Sequence, residues 1–285
     1  MMHWRRITAG WIAGMALIGV SVPASSDTGG RLLATGGGTQ IEGAAGGGVV
    51  PWAVIAGYGA EDEFGADATV SYATTRDLDL SVLALSVGFD NRFELSFGHQ
   101  RLDVGPLDTQ VRQNVFGAKM RLAGDLIYTD MPQISLGVQH KRQQDFVIPS
   151  ALGARSSSGT DVYLSASKLF LAGPGGRSLL LNGTVRATNA NETGLLGFGG
   201  AENDSHRLVG EASAALFLSR NTAVGIEYRQ KRANLSGVDE DDWWDVFIGY
   251  FPNKNFSVIG AFVDLGSVAG LERQSGAYLS LQASF

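Results

Sequence analysis

The chain ends in the stretch Gly276-Ala277-Tyr278-Leu279-Ser280-Leu281-Gln282-Ala283-Ser284-Phe285, in which every second residue is apolar. This period of two predicts a β-strand with one apolar and one polar face. Its ten residues match the length that a tilted strand needs to cross a bilayer. A final strand that ends on an aromatic residue is typical of a bacterial outer-membrane β-barrel. The alternative is the edge strand of a soluble β-sandwich.

The amino terminus predicts export from the cytoplasm. Arg5 and Arg6 precede an uncharged apolar run over residues 7–20, and Val22-Pro23-Ala24 then offers small residues for a signal peptidase. The apolar run is too short to be a membrane anchor. We therefore predict that residues 1–24 are a signal peptide that is removed, and that the mature chain begins at Ser25.

The composition fits an outer-membrane barrel better than it fits a helical membrane protein or a nucleic-acid-binding protein. After residue 24 no apolar run approaches the ~18 residues that a membrane helix requires, which excludes a helical membrane protein. The chain has no cysteine, so it forms no disulfide. Its formal net charge is −6, and loss of Arg5 and Arg6 with the signal peptide makes it more negative. This balance disfavours nucleic acid as a partner.

Alternating segments recur along the mature chain, and their connections differ in length. Short connections are predicted at residues 90–91, 173–177, 219–221 and 251–254, and longer ones at 143–159, 189–203, 233–242 and 266–274. Outer-membrane barrels have short periplasmic turns and longer external loops. Residues 124–132 break this order, because a long connection stands where a short one is expected.

Aromatic residues near the short connections favour the same interpretation. Phe89, Phe93, Phe170, Phe217, Tyr250, Phe251 and Phe256 flank these turns, and Phe285 is expected at the same level. Aromatic girdles at the membrane interface have this placement. We predict that Tyr278, Leu279, Leu281 and Phe285 form the signal that the barrel-assembly machinery recognises.

The predicted fold is all-β, a single antiparallel transmembrane β-barrel of the outer-membrane type. Thirteen alternating segments follow residue 49, and a barrel with both termini in the periplasm needs an even number. We predict 14 strands, with 12 as the alternative. The barrel is assigned to residues 49–285. The glycine-rich residues 25–48 form either the first strand or a lumen plug, and the candidate plug or seam glycines are Gly36, Gly37, Gly38, Gly43, Gly46, Gly47 and Gly48.

Several longer motifs resemble a known family. They are Leu32-Leu33-Ala34-Thr35-Gly36-Gly37, Glu42-Gly43-Ala44-Ala45-Gly46-Gly47-Gly48, Pro51-Trp52-Ala53, Gly194-Leu195-Leu196-Gly197-Phe198-Gly199-Gly200, Asp239-Glu240-Asp241-Asp242-Trp243-Trp244-Asp245 and Tyr278-Leu279-Ser280-Leu281-Gln282. With these motifs the chain resembles the proteobacterial domain-of-unknown-function family numbered 3034, over nearly all of its mature length. The resemblance implies one full-length domain with an outer-membrane barrel fold. The family has no assigned activity, so it supplies no functional residues.

No catalytic arrangement is recognisable in the sequence. His99 and His140 are predicted to lie on the apolar, outward face of their strands, where a lipid hydrolase on the outer wall would need a histidine. However, no serine near them stands in a recognisable nucleophile motif. His206 is the third histidine of the mature chain. The acidic residues 239–242 lack the glycine-interrupted spacing of a calcium loop. An external loop that contacts lipopolysaccharide is the favoured interpretation. We predict no enzyme activity, no cofactor and no metal.

Charged side chains on the inward face carry the functional hypothesis. The candidate lumen-lining residues are Arg92, Glu94, Lys119, Arg121, Lys141, Asp161, Arg186, Glu211, Glu227, Arg229, Lys231, Asp245 and Asp264. Buried charge requires pairing or water, so a polar lumen predicts a passive channel for small polar solutes with weak charge selectivity. A non-conducting structural or interaction barrel is the alternative, and an outer-wall lipid hydrolase is the third. The expected partners are outer-membrane lipid, lipopolysaccharide and the assembly machinery; the solute and the oligomeric state stay open.

Overall fold

The structure, a computed structural model, describes residues 29–238 and 240–285. The predicted signal peptide and Asp239 of the acidic run lie outside the described residues. No helix among the described residues is long and apolar enough to cross a membrane.

Twelve long antiparallel strands form a closed barrel, and a two-residue hairpin precedes them. The hairpin is β1 (Gly38–Thr39) with β2 (Ala45–Gly46). The barrel strands are β3 (Phe64–Thr74), β4 (Leu78–Phe89), β5 (Phe93–Val104), β6 (Thr109–Ala123), β7 (Gln133–Gln143), β8 (Ser158–Phe170), β9 (Leu179–Thr188), β10 (Arg207–Phe217), β11 (Thr222–Arg229), β12 (Trp243–Asn253), β13 (Phe256–Asp264) and β14 (Ser275–Ser284). The only α-helix in the described chain is α1 (Val147–Ala151), and 3-10 turns lie at Gly105–Leu107, Pro174–Gly176 and Glu192–Gly194.

The last strand closes the barrel against the first long strand. In the register of β14 with β3, Leu279 pairs with Tyr72 and Leu281 with Val70. Each other barrel strand pairs with its neighbours in sequence. Closure leaves no unpaired edge in the wall, and a membrane-spanning sheet requires this because the lipid offers no hydrogen-bond partners.

Side chains alternate between the two faces of the wall along every strand. In β4, Leu83, Leu85 and Val87 are 44–49% exposed, whereas Ala84 and Ser86 between them are 1–2% exposed. Leu95, Val185, Ile226, Val246, Ile248, Phe262 and Leu279 continue the exposed apolar surface around the barrel. A continuous outward belt of this kind is the surface that faces lipid in an outer-membrane barrel.

Connections of different length separate the two ends of the barrel. The turn end carries residues 90–92, 124–132, 171–178, 218–221 and 254–255, and the loop end carries 75–77, 105–108, 144–157, 189–206, 230–242 and 265–274. In the long connection at 124–132, Leu126 folds into the interior, and its carbonyl accepts a hydrogen bond from the backbone N–H of Leu169 (2.8 Å). The loop end also holds two short connections.

The barrel has twelve strands, the alternative, instead of the preferred fourteen. Residues 50–59, counted as the first strand after the glycine-rich segment, lie inside the barrel and are buried on both sides. Trp52, Val54 and Ala56 alternate because they pack in an interior apolar cluster. A period of two marks any extended segment with two different sides, so the pattern could not separate an interior segment from a wall strand.

Aromatic side chains at the turn end divide between the two faces. Phe64 and Phe89 are exposed, with ring centroids 4.6 Å apart. Phe93, Phe170, Tyr250, Phe256 and Phe285 are exposed as well. Phe251 instead faces the interior, and Phe217 packs against the interior cluster, so these two do not belong to the expected girdle.

Candidate functional site

The interior of the barrel is filled by the chain that precedes the wall. Residues 34–59, here called the lumen segment, are all buried. The residues that precede the segment are held at the turn end, where Gly30 donates to Glu63 Oε2 (3.0 Å) and Lys254 Nζ donates to the carbonyl of Gly29 (2.6 Å). The segment runs inward, reverses near residues 40–44 and returns to the turn end before β3.

Glycines let the lumen segment approach other backbone closely. Gly43 has φ +98°, and a Cβ there would lie 2.9 Å from the backbone carbonyl of Phe97 in the wall. A Cβ on Gly46 would lie 2.3 Å from the carbonyl oxygen of Val50. All seven candidate glycines, Gly36, Gly37, Gly38, Gly43, Gly46, Gly47 and Gly48, lie in the lumen segment and are buried. Side chains at the tightest of these positions would push the two arms of the segment apart.

An ion pair on the wall binds both arms of the lumen segment. Lys119 Nζ lies 3.0 Å from Glu94 Oε2. Lys119 also donates to the carbonyls of Ala45 (3.0 Å) and Val54 (2.8 Å). Glu94 accepts from the backbone N–H of Ala45 (3.1 Å) and of Ala56 (2.9 Å). The two buried charges therefore neutralise each other, and both also form hydrogen bonds with backbone groups of the segment.

Glu42 places a carboxylate among three cations of the wall, near the reversal of the lumen segment. Its Oε2 lies 2.9 Å from Arg229 Nη1 and 3.5 Å from Arg186 Nη2, and its Oε1 pairs with Lys141 Nζ. Burial opposes ionisation of this carboxyl. The three cations outweigh burial and hold the pKa of Glu42 well below the usual value of a glutamate.

Two wall carboxylates complete this arrangement, which we call the central charge cluster. Asp161 Oδ2 lies 2.7 Å from Lys141 Nζ and 3.3 Å from Arg186 Nη1. Glu211 Oε1 lies 2.5 Å from Arg186 Nε and 3.6 Å from Arg229 Nε. The cluster therefore holds three cations and three carboxylates, and one of the carboxylates belongs to the lumen segment.

Glu227 binds the lumen segment in a different way. Its Oε2 accepts from the backbone N–H of Val49 (2.9 Å), and its Oε1 accepts from Ser213 Oγ (2.7 Å) and Trp52 Nε1 (3.3 Å). Its partner in the register of β11 with β12 is Asp245, another buried carboxyl. The donors to this carboxylate are therefore neutral groups.

The connection at 189–206 closes the interior from the loop end. Leu195, Leu196 and Phe198 are 1–3% exposed, so this loop folds inward, away from the lipid. The carbonyl of Thr193 accepts from Lys141 Nζ (3.0 Å). Glu192 pairs with Lys231, which lies 3.0 Å from Glu240 on the neighbouring loop. The loop end of the lumen is thus covered by these two connections.

Ten of the predicted lumen-lining residues are buried in the interior: Glu94, Lys119, Lys141, Asp161, Arg186, Glu211, Glu227, Arg229, Lys231 and Asp245. The other three lie at the rims. Arg92 is exposed over the ring of Phe93, 5.7 Å from its centroid. Arg121 is half-buried and donates to the carbonyl of Gly124 (2.7 Å). Asp264 is half-buried and accepts from the N–H of Gly266 (2.9 Å). The alternation along a strand predicts which face a side chain lies on, but it does not predict how deep in the lumen that side chain lies.

Three carboxylates of the interior were not among the predicted lumen-lining residues. Asp67 accepts from the N–H of Gly57 (2.8 Å) and is buried. Its parity with the polar face of β3 was a usable signal. Glu42 is an acidic residue in the middle of the glycine-rich segment, which was also a signal. Glu192 stands in a loop, where alternation gives no information.

An apolar region surrounds part of the lumen segment. Its residues come from the segment and from the wall on several strands: Ile41, Val49, Val50, Trp52, Val54, Val82, Leu169, Leu180, Phe247 and Ile259. Burial of this surface stabilises the segment in the lumen.

In the part of the chain that the structure describes, the three histidines are hydrogen-bonded to Asn114 or to Thr160. His99 Nδ1 lies 2.7 Å from Asn114 Oδ1, His140 Nδ1 lies 3.0 Å from Thr160 Oγ1, and His206 Nε2 lies 2.8 Å from the carbonyl of Thr160. None of these contacts is with a serine hydroxyl.

The carboxylates of the acidic residues 240–242 are bound to other groups of the protein. Besides Glu240, Asp241 accepts from the N–H of Ser267 (2.7 Å) and Asp242 from the N–H of Lys231 (2.8 Å). Residues 29–238 and 240–285 contain no group of His, Cys, Asp and Glu that could hold a metal ion.

A closed antiparallel barrel with a lipid-facing belt and a charged interior defines the class, an outer-membrane-type β-barrel. The model of the family described as "Protein of unknown function (DUF3034)" matches residues 35–282, and the chain belongs to this family. The family resemblance in the sequence is thereby confirmed. A comparison with curated proteins returns no match.

Solved structures with a similar backbone fold are outer-membrane proteins. The KdgM porin is 13% identical, covers 78% of this chain and 99% of its own, and has a TM-score of 0.49. The NanC porin is 10% identical, with 77% and 98% covered and a TM-score of 0.48. Omp33 of Acinetobacter baumannii is 12% identical, with 79% and 99% covered and a TM-score of 0.45. At these values the likeness says nothing about what passes through the present barrel.

Proposed function

We propose that the protein is an outer-membrane channel that its own lumen segment closes, and that it passes small polar solutes when this segment leaves the barrel. The observation that carries the proposal is the composition of the interior. A polar, charged wall surrounds a separate stretch of chain, and this stretch joins the wall through the short connection before β3.

Barrel width supports the proposal. Side chains of the wall fill a barrel of about eight strands, and wider barrels leave space in the lumen. This wall has twelve strands, and the space is taken by residues 34–59. Withdrawal of the segment would therefore leave space within the barrel, and the connection at 189–206 would also have to move to open this space at the loop end.

The chemistry of the wall supports the same proposal. Glu94, Lys119, Glu227 and Arg229 contact the segment by hydrogen bonds and ion pairs. Water can replace such contacts, whereas an apolar wall would gain nothing from hydration. After withdrawal the strands of the wall would keep four buried basic and six buried acidic residues, counting Asp67, and the loops would keep the Lys231–Glu192 pair. A mixed wall with this small acidic excess gives only weak selectivity between small cations and anions.

The second candidate is a structural or interaction barrel that never conducts. The interior apolar region favours it, because Trp52 and Val54 would expose apolar surface if the segment left the lumen. The two candidates differ in one measurable property, which is whether the segment can move.

A disulfide can test this movement, because the chain has no native cysteine. Thr39 Oγ1 of the segment lies 2.8 Å from Thr69 Oγ1 of the wall. This distance is compatible with a disulfide after Thr39→Cys and Thr69→Cys. We expect planar bilayers with the reduced double variant to show channel openings, and oxidation to abolish them.

Both single variants serve as controls, since they cannot form the bond and should conduct alike under reducing and oxidising conditions. Reduced, folded protein that stays silent would exclude the channel and favour the structural barrel. Equal conductance of the oxidised and reduced double variant would show that the lumen segment is not the gate.

A further inference from the structure

We propose that Lys141, Arg186 and Arg229 form a binding site for the carboxylate of a permeating solute, and that Glu42 occupies this site while the barrel is closed. The inference rests on the proposed function, because a solute can reach these side chains only after the lumen segment has moved. The chemical class of the ligand is a small organic monoanion.

The charge balance of the central charge cluster supports a monoanion. Its three cations face Glu42, Asp161 and Glu211. Without Glu42 the cations outnumber the carboxylates by one. A buried, unbalanced cation is costly, and one bound carboxylate restores the balance.

The donors surround both oxygens of the Glu42 carboxylate. Oε1 contacts Lys141 Nζ and Arg229 Nη2, the latter at 3.3 Å. Oε2 contacts Arg229 Nη1 at 2.9 Å and Arg186 Nη2 at 3.5 Å. Arginine forks that contact both oxygens of one carboxylate give strong recognition of that group.

All three cations belong to the wall and would stay when the segment leaves. Lys141 lies on β7, Arg186 on β9 and Arg229 on β11. Asp161 and Glu211 pair with the same cations and hold them in place. The site is therefore built into the barrel, and Glu42 is a ligand tethered by the segment.

A further donor lies beside the cations. Gln139 Oε1 accepts from Arg186 Nη1 at 2.6 Å, and its Nε2 has no hydrogen-bond partner within the described residues. Buried amide groups are seldom left unpaired. A carboxylate with a different shape from Glu42 could use this N–H group.

Chemical rescue tests the site without any measurement of conductance. Glu42→Ala removes the tethered carboxylate and leaves space beside the three cations. We expect sodium acetate to raise the melting temperature of the full-length variant in detergent, by about 3–6 °C at about 300 mM. Sodium chloride at the same concentration is the reference.

Two variants are matched controls. Glu42→Gln fills the space without charge and should not respond to acetate. Glu227→Ala removes another buried carboxylate, but one whose donors are neutral and whose neighbour is Asp245. It should not respond either, because no cation remains there to bind acetate.

Equal melting temperatures of the Glu42→Ala variant in acetate and chloride would overturn the site. If this variant does not fold in chloride, the yield of folded protein is the readout. Recovery in acetate supports the site, and equal yields in both salts overturn it. Acetate rescue with silent bilayers would show that the three cations bind a carboxylate, but it would exclude the channel and therefore a permeating solute as the ligand. Conducting channels without rescue would keep the channel and exclude the site.

Discussion

Phe285 and Ala66 exchange two backbone hydrogen bonds, from Phe285 N–H to the Ala66 carbonyl at 2.9 Å and from Ala66 N–H to the Phe285 carbonyl at 3.0 Å. The last residue of the chain is thus paired with the first barrel strand. Its ring is 66% exposed on the outer wall. Phe285 therefore has two separate features, a backbone that continues the closing ladder and an aromatic ring that faces outward.

Two variants separate these features. Deletion of Phe285 removes the ladder partners of Ala66 and the ring, whereas Phe285→Ala keeps the backbone and removes only the ring. We expect both to lower the amount of protein in the outer membrane, measured by fractionation and immunoblotting, while export continues. If Phe285→Ala inserts normally and the deletion does not, the backbone pairing matters and recognition of the ring is excluded.

The Lys119–Glu94 pair should contribute strongly to stability. Lys119→Met leaves Glu94 buried without its cation and removes two hydrogen bonds to the lumen segment. Loss of one partner of a buried pair costs about 3–5 kcal/mol, so the urea midpoint in detergent should fall. Arg101→Gln is the control, because the Arg101–Asp103 pair is exposed and such pairs contribute about 0–1 kcal/mol. Equal midpoints for the two variants would contradict this assignment.

The packing of the lumen segment predicts a difference between two glycines. A Cβ on Gly46 would meet the Val50 carbonyl at 2.3 Å, whereas a Cβ on Gly183 in β9 would meet nothing within 4 Å. Gly46→Ala should reduce the free energy of unfolding by about 1–3 kcal/mol through overpacking. Gly183→Ala should change it by about 0.5 kcal/mol or less. Limited proteolysis should cut the segment faster in the first variant, and equal protection would argue against its tight packing.

The lipid-facing belt predicts where a charge is tolerated. Ile248 lies in the middle of β12 and is 52% exposed, and Leu107 is 62% exposed in the connection between β5 and β6. An arginine at the bilayer midplane costs about 2–4 kcal/mol. Ile248→Arg should therefore lower folding into lipid vesicles, and Leu107→Arg should not. Similar folded fractions on heat-modifiability gels would argue against a membrane-embedded wall.

The sequence by itself determined the wall of the barrel. Alternation in β4 and β14 assigns Leu85 and Leu279 to one face and Ser86 and Tyr278 to the other, because the side-chain period of a strand is two. Connection lengths separated most turns from most loops. These signals are local, so they can be read without knowing which strands are neighbours.

Only the tertiary structure decided what fills the interior. Glu42 and Arg229 are 187 positions apart and meet because β7, β9 and β11 surround the lumen segment. Residues 50–59 alternate like a wall strand but lie inside the barrel, and Arg92 and Asp264 have inward parity but lie at the rims. The physical reason is that alternation reports the two sides of an extended segment, whereas depth in the lumen and partners across it depend on strand register and closure.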